Sequence, residues 1–249
     1  MRRQQIGHQR GGIFNAGTLT VTRTTIQNGQ SNHGTAGINP YAYRGGIYST
    51  GTLTVTHSTL YENWASNNAA LTNRPGYGGG AYISGASAPT FINCTITDNY
   101  ASGNTQNQGS GVFNNNSTLN LNSCTITPNN FLSNGEGSGV FNSLGRTVNI
   151  HNTIVGNNSG LNRPDVFGTF NSQDYNLFGT TARATIGGAT GNNIVAPPNL
   201  GGRTNNGGPT ETHLPNAASP AINAGFSPGL TDDQRTMPRP GGGDGYWSG

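Results

Sequence analysis

Glu62 and Asp98 are each followed two positions later by an aromatic residue, Trp64 and Tyr100, and the two triplets sit 36 residues apart in a repeating chain. Two carboxylates could hold calcium or do acid/base work on a glycosidic bond. Two aromatic faces could lie against a sugar ring, joining apolar contact to directed hydrogen bonds. Tyr41, Tyr43 and Tyr77 fall in the adjoining stretches, with Arg44 and Arg74 near them. The candidate carbohydrate site is therefore Tyr41, Tyr43, Glu62, Trp64, Tyr77, Asp98 and Tyr100. The same rings have a plainer reading, in which they only pin loops to the scaffold.

Other chemistry finds less support. Glu62 and Asp98 stand two residues after Leu60 and Ile96, and Pro128 and Gly156 fill the matching places later, which marks a turn position. No catalytic residue, metal site or cofactor is assigned. His8, His33, His57, His151 and His213 have no serine or cysteine partner at a recognisable spacing. Cys94 and Cys124 stand apart from other ligands, and they are expected to be stacked core thiols. Parallel-sheet spacing holds β-carbons ~4.8 Å apart, beyond the ~3.8 Å of a disulfide. The chain has no lysine, which excludes a lysine Schiff base or a P-loop. Its net charge of +3 is spread without a basic run, so nucleic acid is not an expected partner. No segment approaches the roughly 20 apolar residues of a membrane helix.

The elements that would position these residues come from a repeat. Gly12-Ile13-Phe14, Gly46-Ile47-Tyr48, Gly80-Ala81-Tyr82, Gly111-Val112-Phe113 and Gly139-Val140-Phe141 open successive units, with a degenerate copy at Asp165-Val166-Phe167. Each opening leads to an alternating run, as in Thr18-Leu19-Thr20-Val21-Thr22 and Thr118-Leu119-Asn120-Leu121-Asn122. A Thr-apolar pair follows, as in Thr59-Leu60 and Thr95-Ile96. Period two with β-branched residues predicts strands, with Leu19, Val21 and their counterparts inward. Short strands with no helical pattern between them cannot each bury a face alone. They can wind as coils of a parallel β-helix, like residues stacking ~4.8 Å apart. The chain thus predicts an all-β, right-handed, single-stranded parallel β-helix of about six coils over residues 1–179. A Gly/Pro/Asn-rich segment, residues 180–249, is expected to cap the last coil or to serve as a pre-anchor segment.

Alignment by residue type predicts the columns. Thr24, Ser58, Cys94, Cys124 and Asn152 form a small inward column, and Asn63, Asn99, Asn129 and Asn157 form a turn column able to bond from coil to coil. Thr25, Thr59, Thr95, Thr125 and Thr153 form an outward column. Beside it run Gln27, Tyr61, Thr97, Thr127 and Val155, too few threonines for the paired columns of an ice-binding solenoid. Ice binding is a third and weakest functional reading.

Two tail phrases stand out: Asn205-Asn206-Gly-Gly-Pro-Thr-Glu-Thr-His213-Leu214 and Ser219-Pro220-Ala221-Ile222-Asn223-Ala224-Gly225. With Asp233-Gln234-Arg235, Arg239-Pro240 and the repeats, they resemble the secreted bacterial right-handed β-helix proteins akin to polymorphic outer-membrane proteins, often carrying a choice-of-anchor domain. The resemblance spans roughly Gly11 to Pro240. It implies a secreted or cell-surface protein with an adhesive or structural, non-catalytic role and with surface glycans or polysaccharide as partners. A polysaccharide lyase, a glycoside hydrolase or a carbohydrate-binding module on the same scaffold is the alternative. The family usually ends in a Cys-Asp-Ile-Gly-Ala-Phe-Glu-like run and an anchor, where this chain reads GGGDGYWSG.

Overall fold

The computed structural model describes residues 12–33, 42–43, 45–67, 75–103, 107–131, 135–143, 145–160, 165–226 and 229–239. They form a right-handed parallel β-solenoid whose named strands all pair in parallel with like residues of the next coil. The opening strands (Ile13–Asn15, Ile47–Ser49, Ala81–Ser84, Val112–Asn115, Val140–Asn142) and the alternating strands (Thr18–Thr22, Thr52–Thr56, Thr90–Ile92, Thr118–Asn122, Thr147–His151) make one long sheet. In the sixth coil a single strand, Val166–Gln173, occupies both places. The Thr-apolar strands (Thr25–Gln27, Thr59–Tyr61, Thr95–Thr97, Thr125–Ile126, Ile154–Val155, Leu177–Phe178) make a second, the threonine sheet.

Alternation sends the expected residues inward. Leu53, Val55, Phe91, Leu119, Leu121, Val148 and Ile150 meet Leu60, Ile96, Ile126 and Val155 in one continuous core. The opening glycine is fixed by close approach, since a Cβ on Gly80 would lie 2.5 Å from the Gly111 carbonyl oxygen. The aromatic residue two places on faces the other way. Phe14, Tyr48, Tyr82, Phe113, Phe141 and Phe167 stack down the solenoid with centroids 4.6 to 5.5 Å apart.

The stretches between each Thr-apolar strand and the next opening glycine hold additional strands. Gln30–His33, Trp64–Asn67, Tyr100–Ser102 and Asn130–Phe131 form one small sheet, and Ala42–Tyr43, Gly76–Tyr77, Asn107–Gln108 and Gly135–Glu136 form another. Periodicity could not show them, because each offers only two to four residues.

The fifth coil corrects the predicted columns by one residue. Asn122 pairs His151, Thr125 pairs Ile154 and Ile126 pairs Val155. Register is carried from the alternating strand, and it overrides the likeness of Thr153-Ile154 to Thr125-Ile126. Thr153 therefore takes the small inward place beside Cys124, donated to by the Cys124 amide at 3.2 Å. Asn152 is instead a left-handed turn residue at φ 50°, like Ser123 at 53° and Asn93 at 51°. Val155 points into the core and Gly156 takes its predicted outward place.

Parallel pairing also continues past residue 179. Arg183–Ala189 pairs Val166–Gln173, and Ile194–Val195 pairs Leu177–Phe178, adding a partial seventh coil. The tail then departs from the expected place over the last coil. It runs back along the outside of the threonine sheet to coils two and three, where Gln234 bonds Thr59 and Thr95.

Candidate functional site

Trp64 and Tyr100 are positioned by a repeated turn. Glu62 and Asp98 adopt φ of 50° and 52°, the left-handed region, and this reverses which way the following residue points. Asn63 and Asn99 consequently turn inward and are fully buried. The Asn63 side-chain amide donates to the Ile26 carbonyl at 2.9 Å and to Asn99 Oδ1 at 2.9 Å. Asn99 repeats this with the Leu60 carbonyl and Asn129 Oδ1, and Asn129 with Ile96 and Asn158 Oδ1. Asn158 holds the place predicted for Asn157, which is exposed. The ladder ends on Asp165 Oδ1, 2.9 Å from both Asn158 nitrogens. Burial raises the Asp165 carboxyl above its ordinary value, against the lowering effect of the Asn158 bonds.

With the asparagines inside, the next residue is sent out. Trp64 and Tyr100 pair in register and stack, ring centroids 4.3 Å apart and planes 23° apart. Gln30 and Asn130 extend the same column on either side. Ala65 and Ala101 behind the rings are buried in the solenoid. The column is a half-exposed aromatic pair flanked by amides, rigid because its strands are held on both edges.

The other predicted site residues divide. Glu62 is exposed at the turn leading into this strand. Asp98, its counterpart one coil on, is drawn towards the tail: Arg203 Nε lies 3.5 Å from its carboxylate. Arg203 also pairs with Glu211 and lies over the Tyr61 ring at 3.7 Å. Tyr77 belongs elsewhere, against Phe113 of the aromatic stack at 5.0 Å. Tyr43 is described through its backbone alone, and Tyr41, Arg44 and Arg74 lie outside the described residues. Among the described residues no group of three or more His, Cys, Asp or Glu could hold a metal ion. Cys94 and Cys124 are free, buried thiols, and burial followed by the proximity of Cys124 raises Cys94 well above its ordinary value.

What sequence reasoning missed is the role of the outward threonines. Thr59 donates to the Glu211 carbonyl at 2.7 Å and Thr95 to Gln234 Oε1 at 2.7 Å. Gln234 Nε2 donates to Thr59 and Thr210 hydroxyls at 2.8 and 2.9 Å. Thr59, Thr95 and the adjoining Thr97 are at most 1% exposed, so in coils two and three this face is covered, whereas Thr25 in the first coil is exposed. Towards the C-terminal coils the same column becomes apolar, and Ile154 and Leu177 pack against Ala221 with Leu200 alongside. The two tail phrases and the Asp-Gln-Arg triplet thus supply docking groups.

His213 is the titratable member of this contact. Its Nδ1–H donates to the Gly201 carbonyl at 2.8 Å, which leaves Nε2 to accept from the Thr97 hydroxyl at 3.0 Å. Burial lowers its pKa; the Gly201 bond and Asp98 oppose this and Arg203 adds to it. The folded chain therefore takes up this proton at lower pH than the unfolded one. The stability His213 contributes is complete above about pH 6.5 and is lost as pH falls below it. Melting temperature should drop between about pH 7.5 and about pH 5.5, and His213→Gln should shrink that drop. An unchanged drop in the variant would reject the assignment.

No helix among the described residues is long and apolar enough to cross a membrane. In comparisons with known proteins, no family model, curated protein or solved structure matches this chain, so the likeness that stands is to the parallel β-solenoid fold itself.

Proposed function

We propose that the protein works outside the cell or at its surface as a non-catalytic adhesive or structural solenoid that binds glycans through Trp64 and Tyr100. The observation that carries this reading is the outward Trp64–Tyr100 stack on the two inner strands of a small rigid sheet, with Glu62 exposed at the turn before it. The stack covers one face of each ring, so a sugar ring would meet the outer face of the indole or phenol, where Gln30, Asn130 and Glu62 can supply directed hydrogen bonds. The involvement of Asp98 with Arg203 argues against its pairing with Glu62 as a catalytic acid and base. The bacterial surface-protein resemblance of the repeats and tail phrases agrees with the same role.

The test is a glycan array with the parent, Trp64→Ala and Tyr100→Ala. Each variant is expected to weaken binding about tenfold or more at unchanged melting temperature, as loss of a central aromatic contact does. A parent that binds no glycan, with variants that only lose stability, would leave the rings as scaffold. Release of reducing ends or unsaturated products from a polysaccharide panel would establish the enzyme in place of the adhesin.

A further inference from the structure

We infer that the outward face of the alternating strands of the long sheet is an ice-binding surface, because register places parallel, uncharged columns of threonine and asparagine there, exposed among the described residues. The first column is Thr18, Thr52, Thr118, Thr147, Thr169 and Thr185, interrupted in the third coil, where the strand begins at Thr90. The second is Thr20, Thr54, Thr90, Asn120, Asn149 and Asn171. A third begins as Thr22 and Thr56 and is then broken by Ile92 and His151. Residue-type alignment looked for such columns on the threonine sheet, where the tail covers them.

This face is open and its side chains are ordered. Thr18, Thr20, Thr52, Thr118, Thr169, Asn171 and Thr185 are exposed, and the tail crosses the neighbouring sheet instead. Asn149 donates to Asn120 and Asn171 to Asn149, both at 2.9 Å, which fixes the amides of the second column. Threonine is stiff at χ1, so its methyl and hydroxyl hold set directions. Coils repeat every ~4.8 Å and alternate residues along a strand every ~6.7 Å. Those spacings lie close to repeat distances in the planes of hexagonal ice.

The chemistry of the face selects the occupant. The threonines and asparagines of its first two columns carry no charge, so they have nothing to complement on a polyanion. The row of rings on the opening strands of the same sheet, Phe14 to Phe167, is packed face to face within itself, and Arg183 at its end is paired with Glu136, so the row does not offer the open ring faces that meet crystalline polysaccharide. A partner able to use every position must itself repeat in two dimensions and bond to hydroxyls and amides, which ordered water does.

The experiment is thermal hysteresis and ice-crystal shaping with the parent, Thr52→Lys, Thr118→Lys and Trp64→Ala. The parent should show hysteresis and faceted crystals. Each lysine variant should lose most of it at unchanged melting temperature, and Trp64→Ala should keep it, separating this face from the glycan site. Two lysine sites are used so that misfolding of one leaves the other readable. Round, unshaped crystals without hysteresis in the parent would overturn the inference, as would full activity in both folded lysine variants. Retention of the parent on microcrystalline cellulose or chitin through Thr52 and Thr118, without hysteresis, would also overturn it.

Discussion

Replacing Asn99 by alanine is expected to destabilise the protein by about 3 to 6 kcal/mol, since each buried polar group left unpaired costs ~1–3 kcal/mol. Asn99 is fully buried, and its amide donates to the Leu60 and Thr97 carbonyls at 2.9 Å and to Asn129 Oδ1 at 3.0 Å. Its carbonyl accepts from the Asn63 backbone and side chain at 3.1 and 2.9 Å. Alanine removes all five bonds and leaves partners on two neighbouring coils without water to replace them. Urea denaturation measures the loss. Asn157→Gly is the control, because Asn157 is exposed and its φ of 57° suits glycine. A large loss at Asn157 with a small one at Asn99 would overturn the ladder.

Leu121→Ala is expected to cost about 2 to 5 kcal/mol, the range for truncating a fully buried leucine to leave a cavity. Leu121 is 1% exposed and sits in register between Phe91 and Ile150, so neither side can collapse without moving a coil. Its neighbour Asn120 points outward and Asn120→Thr should change stability little, within about 0.5 kcal/mol, as surface substitutions do. A Leu121→Ala variant that melts with the parent would mean the alternating run faces the other way.

The alternating runs were legible because period two needs only local evidence, and Leu53, Val55, Leu119 and Leu121 all face the core as read. That Trp64 and Tyr100 hold matching places was legible from the asparagine column, since each follows one of its members, and in the structure the two rings stack. Three things were not. The one-residue shift at Thr153 depended on pairing carried over from Thr147–His151, whereas a Thr-Ile dipeptide reads the same in either register. Tyr77 joins Phe113 because a strand of only two residues, Gly76–Tyr77, places it there. The tail lies against Thr59 and Thr95 through contacts between residues more than 130 positions apart, such as Thr95 with Gln234. No periodic pattern encodes a contact made once.

The asparagine ladder bears on how this chain could have grown. In each coil the amide carbonyl faces the coil before and the amide nitrogen faces the coil after, so every asparagine receives on one side and gives on the other. Asp165, as a carboxylate, only receives. A gene duplication that copies one coil between Asn63 and Asn158 would leave every donor with an acceptor, and the longer product would inherit a complete interior. A coil added beyond Asp165 in that column would meet a residue with nothing to give. Length is thus heritable in whole turns from the middle of the gene, while the acidic terminus acts as a full stop that recombination must leave in place.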